Sequence, residues 1–135
     1  LEPDPEGGFQ ITFPDVPEAI SGGSDEAEAR AMGAEALGLA LRGILQAGGA
    51  LPRPKAEGKG LVAIAVAPDT AFKLALIEAF RASGMSKSEL ARRLGKGENE
   101  ARRILDPDHA TGLGTMQAAL AALGKSVAVR VLEDA

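Results

Sequence analysis

Six basic side chains stand among three acidic ones between residues 86 and 103: Lys87, Arg92, Arg93, Lys96, Arg102 and Arg103 against Glu89, Glu98 and Glu100. A local balance of +3, in a chain whose net charge is −4, suits binding to phosphate. Bond-breaking chemistry has little to build with. The absence of cysteine excludes a disulfide framework, a thiolate zinc site and a cysteine nucleophile. His109 is the sole histidine, so no histidine pair exists for a metal or for acid–base work. Two-metal phosphoryl chemistry needs carboxylates on adjacent strand ends. Asp4, Glu6 and Asp15 instead fall in turns, and the apolar runs Phe9–Phe13 and Leu61–Ala67 contain no acid. They read as solvated turn carboxylates. No catalytic residue, metal or cofactor is assigned, and the chain reads as a non-enzyme. With four Phe and no Tyr or Trp, a stacking platform for single strands is not expected either.

The elements that must carry those charges are two short helices. In Ser86-Lys87-Ser88-Glu89-Leu90-Ala91-Arg92-Arg93-Leu94, Ser86 is a cap, and Leu90, Ala91 and Leu94 face inward. Gly95-Lys96-Gly97 reverses the chain, and Ala101, Ile104 and Leu105 form the inner face of a second helix from about 98 to 105. Helix, glycine-containing turn and helix is the arrangement whose second member enters the DNA major groove. The S-x-x-E-L-A-x-x-L-G core resembles the repressor-type helix-turn-helix. Lys96, Gly97 and Ala101 depart from the Val, Ser and Val/Ile usual at those positions, and Glu98 and Glu100 set two negative charges at the start of the second helix. Glutamate can accept from cytosine N4 but repels phosphate. Lys87, Lys96, Glu98, Asn99, Arg102 and Arg103 are the expected DNA-binding residues, with Asn99 placed to reach a base edge. A helical pair used only for packing is the alternative.

Around this pair the rest of the chain divides in two. Residues 1–67 carry five Lys/Arg against ten Asp/Glu, and residues 68–135 carry ten against nine. Phe9-Gln10-Ile11-Thr12-Phe13 alternates as a half-buried strand, preceded by the turn Asp4–Gly8 and an extended segment that includes Leu1. Ala19-Ile20 is a short third strand. Ser24 caps a helix running to about Gln46, in which Met32, Ala36, Leu39 and Ala40 widen the apolar stripe. Residues 50–60 form a Pro/Gly/Lys loop, and Leu61–Ala67 reads as a central strand buried on both faces. Pro68 opens a helix that ends at Ser83-Gly84; a last helix runs from about 115, capped by Thr115, to 123. Ser126–Leu132 alternates as a terminal strand. All three methionines (Met32, Met85 and Met116) read as core. The expected fold is α+β: a ββ(β)αβ layer over 1–67, then an all-α helix-turn-helix domain with a C-terminal strand over 68–135.

With these residues in hand, the whole chain resembles the HicB-type antitoxin family in its helix-turn-helix branch. The matching features are Asp4-Pro5-Glu6-Gly7-Gly8-Phe9, Phe13-Pro14-Asp15-Val16-Pro17, Gly22-Gly23-Ser24-Asp25-Glu26-Ala27, Leu51-Pro52-Arg53-Pro54, Leu105-Asp106-Pro107-Asp108-His109 and Ala119 to Lys125. Most of the family's first strand has no counterpart here. The resemblance implies a partial ribonuclease-H-like N-terminal domain that neutralises a small mRNA-cleaving toxin, HicA. It also implies a C-terminal domain that binds the operator of its own operon, which makes double-stranded operator DNA and the toxin the expected partners. A free-standing transcriptional regulator with a ligand-sensing or oligomerising N-terminal module is the other class the residues leave open.

Two expectations concern assembly and location. Val127, Val129 and Val131 alternate with Ala128 and Arg130, so one face of the terminal strand calls for burial, which a second copy of the chain would supply. The chain is therefore expected to form a homodimer or a higher homo-oligomer. No run of about 18 apolar residues exists to span a membrane, and no signal-peptide pattern is seen, so the expected compartment is the cytoplasm.

Overall fold

In the computed structural model, which describes residues 1–133, a small antiparallel sheet is followed by five helices. Strands β1 (Glu2–Pro3), β2 (Phe9–Thr12) and β3 (Ile20–Gly23) lie in the order β1-β2-β3. Pro3 pairs with Phe9, and Ile11 with Ser21. The β1–β2 turn is tied by the Asp4 carboxylate, which accepts from Glu6 N at 2.9 Å. The third strand starts at Ile20 and takes in Ser21-Gly22-Gly23, whereas the sequence reading ended it before them. Gly22 lies flat enough against β2 that a Cβ there would come within 2.8 Å of the Phe9 carbonyl oxygen.

Helix α1 (Glu26–Gln46) lies across this sheet. Its cap is Asp25, not Ser24: the Asp25 carboxylate accepts from Glu28 N at 2.8 Å. Ser24 is bound instead by the Glu28 side chain. The buried face runs through Ala29, Gly33, Leu37 and Leu45, every fourth residue with Leu41 half-buried between. Gly33 is where the helix meets β2. A Cβ there would stand 2.6 Å from Ile11 Cδ1. That rotation turns Met32 and Leu39 outward, so Met32 is a surface residue rather than core, and Leu39 does not widen the buried stripe.

Helix α2 (Pro68–Ser83) starts with proline at its first position, where the missing N–H costs nothing. Helices α3 (Lys87–Leu94), α4 (Glu98–Ile104) and α5 (Leu113–Ala122) complete the order. The last is capped at Gly112, a turn before the expected Thr115, because Gly112 O already accepts from Met116 N. Leu76, Leu90, Ile104, Leu105, Met116, Ala119 and Leu120 form the core of this helical half, with Met85 packed against it. The two halves meet where Leu45 of α1 packs on Leu74 and Ile77 of α2. Arg81 secures the joint by donating to Leu45 O in the last turn of α1 at 2.7 Å and to Gly49 O just beyond it at 3.1 Å.

Both late strands differ from expectation. Leu61–Ala67 makes no ladder, and Leu61 and Val62 are each more than 40% exposed. β1, two residues long, offers almost no edge for a neighbour to pair with. Residues 62–65 instead line a cavity with the first turns of α1 and with Arg130 and Leu132. Val66 alone reaches the core, against the cluster of Val16, Ala19 and Leu37. Ser126–Leu132 is likewise unpaired among the described residues, with Val129 77% and Val131 87% exposed. A strand cannot satisfy its own backbone, and among the described residues Ser126–Leu132 joins no sheet.

Candidate nucleic-acid interface

The α3–α4 pair is built from its caps inward. Ser86 Oγ accepts from Glu89 N at 3.1 Å, and the Glu89 carboxylate in turn pairs with both Arg92 and Arg93. Gly95 ends α3 in the left-handed conformation at φ 66°, which lets Lys96 N return to Ala91 O at 2.9 Å. Gly97 then opens α4 with no side-chain cap. Leu90, Ala91, Ala101 and Ile104 are buried, as the spacing predicts, and Leu94 packs at the edge of the same core.

All six expected DNA-binding residues are exposed on this pair. They are not equally free. Lys96 pairs with Glu100 at 3.3 Å and Arg102 with Glu98 at 3.5 Å, both one turn apart on the surface. Pairs of this kind are worth only about 0.3–0.5 kcal/mol, so phosphate can compete for the cations. Lys87, Asn99 and Arg103 have no side-chain partner among the described residues. Arg93, also on a non-core position, is spent inside the domain: besides Glu89 it donates to Ala122 O, at the end of α5, at 3.2 Å.

Several side chains away from the pair have structural work. Asp15 accepts from Lys55 N and Ala56 N, both at 3.0 Å, and so anchors the 50–60 loop. Among the described residues no three acids or histidines gather at metal-binding distance. His109 is exposed in the turn after α4, where its N–H donates to Asp106 O at 3.1 Å. That turn also receives Gln46 from the end of α1, whose amide donates to Asp108 at 3.1 Å and Asp106 at 3.4 Å.

One residue escaped the sequence reading. Lys73 of α2 is buried, and its ammonium bonds the carbonyls of Arg103 and Ile104 and the hydroxyl of Thr111. Burial pushes its pKa down from 10.5 to about 8, against the pull of the nearby Asp106 carboxylate. Its spacing was the available signal: Lys73 lies four residues before Ile77 on the apolar face of α2.

An α+β layer followed by a helix-turn-helix pair whose second helix exposes Glu98, Asn99, Glu100, Arg102 and Arg103 is the class these features define. No family model matches the chain. Curated relatives do. Antitoxin HicB of Escherichia coli K12 is 36% identical over 129 residues, covering 96% of this chain and 94% of that protein. Antitoxin HicB 1 of Photorhabdus laumondii is 32% identical over 131 residues, 97% of this chain and 83% of the relative. Antitoxin HicB 2 of the same organism is 36% identical over 120 residues. The chain belongs to the HicB antitoxin family. Among the described residues, no helix is long and apolar enough to cross a membrane.

Proposed function

We propose that this protein is the antitoxin of a toxin–antitoxin pair, which binds an mRNA-cleaving HicA-like toxin and represses its own operon by binding operator DNA. Full-length similarity to proteins named antitoxin HicB is the observation that carries the first part. Residues 1–67 take the toxin. Their excess of five acidic charges suits a partner whose own surface must attract RNA phosphates. Inhibition is steric and electrostatic, by cover of the RNA-binding face, and needs no catalysis by the antitoxin.

Residues 68–135 take the DNA. α4 is the recognition helix, with Asn99 at a base edge and Lys87, Arg103 and the exchangeable Lys96 and Arg102 on phosphates. Glu98 and Glu100 either accept from cytosine or repel a wrong register. The exposed Val127, Val129 and Val131 pair with the same segment of a second copy, which completes a dimer and sets two α4 helices at the ~34 Å spacing of a palindromic site. The protein works in the cytoplasm, where its mRNA-directed partner acts.

Co-expression with the adjacent gene product, followed by pull-down, is the decisive experiment. Recovery of a small basic protein whose toxicity is relieved by the full chain is expected. A second reading, a ligand-sensing regulator, has one observation in its favour. A partly open cavity of about 640 Å³, lined by Ile11, Phe13, Val16, Leu37, Leu41 and Leu61 among others, has the size and apolar walls of a small-molecule site. Absence of any co-purifying partner, together with a low-molecular-weight compound that alters DNA binding, would favour that reading instead.

A further inference from the structure

α4 has seven residues, too few to hold a helix by itself, so its place depends on what grips its two ends. Its N-terminus has no side-chain cap. Its inner face is held by Ala101 and Ile104 in the core. At its C-terminus the last carbonyls of a helix lack intrahelical partners and carry the negative end of its dipole. Here they meet a cation from another element. Lys73 Nζ donates to Ile104 O at 2.7 Å and to Arg103 O at 3.2 Å. Its third bond, at 2.5 Å, goes to Thr111 Oγ1 in the segment leading to α5.

Lys73 is 4% exposed and is the one charged residue in the buried set among the described residues. An ammonium is costly to bury, and a leucine or methionine would pack this position more cheaply. A contact that is expensive in stability and directional in geometry fixes position rather than adding cohesion. The three acceptors lie on the end of α4 and on the chain just beyond it, so one side chain ties α2, α4 and the approach to α5 at a single point. Arg103, whose carbonyl it grips, also carries one of the exposed guanidinium groups.

We propose that Lys73 is a positioning residue for operator readout: its ammonium fixes the C-terminal end of α4, and thereby the register of Asn99 against the bases and of Arg103 against the phosphates. This rests on the reading of α4 as the recognition helix. Loss of Lys73 then degrades discrimination between sequences more than the general attraction to DNA, because the exposed cations remain in place while their alignment does not.

The test uses the full chain, wild type beside Lys73→Met, with two measurements. The first is affinity for a duplex of the DNA upstream of its own coding sequence and for a scrambled duplex of equal length and composition. The second is amide hydrogen exchange along α3 and α4. The specificity ratio is expected to fall roughly tenfold, about the cost of one mismatched base pair, while binding to the scrambled duplex changes far less. Exchange at Ala101–Leu105 should quicken with α3 unchanged. Should Lys73→Met fail to fold, Thr111→Val removes one acceptor and keeps the charge, and a smaller shift of the same kind is expected. A folded variant with wild-type specificity and wild-type exchange in α4 overturns the proposal. A wild-type chain that binds both duplexes equally defeats the DNA reading and the readout role with it, while the exchange data alone still report whether Lys73 grips α4.

Discussion

The two halves of this molecule solve the same backbone problem differently. From Pro68 to Leu123 every element is a helix, which satisfies its own N–H and C=O groups and needs neighbours only for its apolar stripe. Leu76, Leu90, Ile104 and Met116 supply that stripe from four separate helices and close one core. Up to Ala67 the chain depends on a sheet, and a sheet is only as long as its shortest partner. β1 spans two residues, and among the described residues Leu61–Ala67, apolar throughout, and Ser126–Leu132 both stay unpaired. A helix is specified by its own residues. A strand is specified by residues elsewhere in the chain or on another chain.

The sharpest way to stress that contrast is one truncation in the helical core and one in the unpaired tail. Leu90→Ala empties a fully buried site in the helical core and should cost about 2–5 kcal/mol, seen as a drop in the urea midpoint of the helical signal. At protein concentrations low enough for the chain to be monomeric, Val129→Ala, in the exposed tail, should cost less than about 0.5 kcal/mol by the same measure. Equal losses would mean that the tail is part of the folded core, contrary to its exposure.

A next, smaller effect concerns assembly. A chain ending at Gly124 should turn from dimer to monomer in light scattering and lose operator affinity, if the exposed valines pair across a two-fold axis. An unchanged oligomer would move the symmetry to the N-terminal half, where Ile20, Met32, Leu39, Leu61 and Val62 are exposed apolar residues.

Charge variants of α4 follow. Glu98→Gln removes a carboxylate that holds Arg102 at 3.5 Å; if α4 lies against DNA as proposed, binding to any duplex should tighten a few-fold, on the order of one charge contact. Weaker binding would assign Glu98 to a cytosine instead.

A further expected effect is linked to protons. Folded Lys73 releases its proton at about pH 8, whereas in the unfolded chain the value is 10.5. Between these values the unfolded state binds more protons, so the Lys73 contribution makes stability rise as pH climbs from about 8 to 10.5. Urea midpoints at pH 7.5 and 10 should therefore draw the wild type up relative to Lys73→Met; parallel curves would mean that the ammonium is not desolvated.

The same contrast explains what was legible in the sequence. The ends of α1 at Gln46, of α2 at Ser83 and of α3 at Leu94 follow from local signals: glycine after the last turn and proline or serine before the first. Asp25 displaced Ser24 as cap because two adjacent residues can both cap, and only the placement of Glu28 decides between them. Met32 and Leu39 were misjudged because composition gives the width of an apolar stripe and not its rotation; the contact of Gly33 on Ile11 sets that rotation. In the candidate site, the exposed residues of α4 were readable from spacing. Their pairing into Lys96–Glu100 and Glu98–Arg102, one turn apart, was not drawn from that spacing and came with the structure. Lys73 shows in the sequence only as a charge on the apolar face of α2; its partners, two carbonyls and a hydroxyl thirty or more residues along the chain, leave no mark in residue type.

The claim on which the account turns is that α4 reads DNA, and the most direct measurement is an anisotropy titration on the duplex upstream of the coding sequence, at several salt concentrations. Wild type is compared with Arg103→Ala and Asn99→Ala. Arg103→Ala should weaken binding to all sequences alike and lower the salt slope by about one, while Asn99→Ala should keep the slope and change the preferred base. Titration curves for both variants that superimpose on the wild type at every salt concentration would contradict the account, and would return the α3–α4 pair to a packing role.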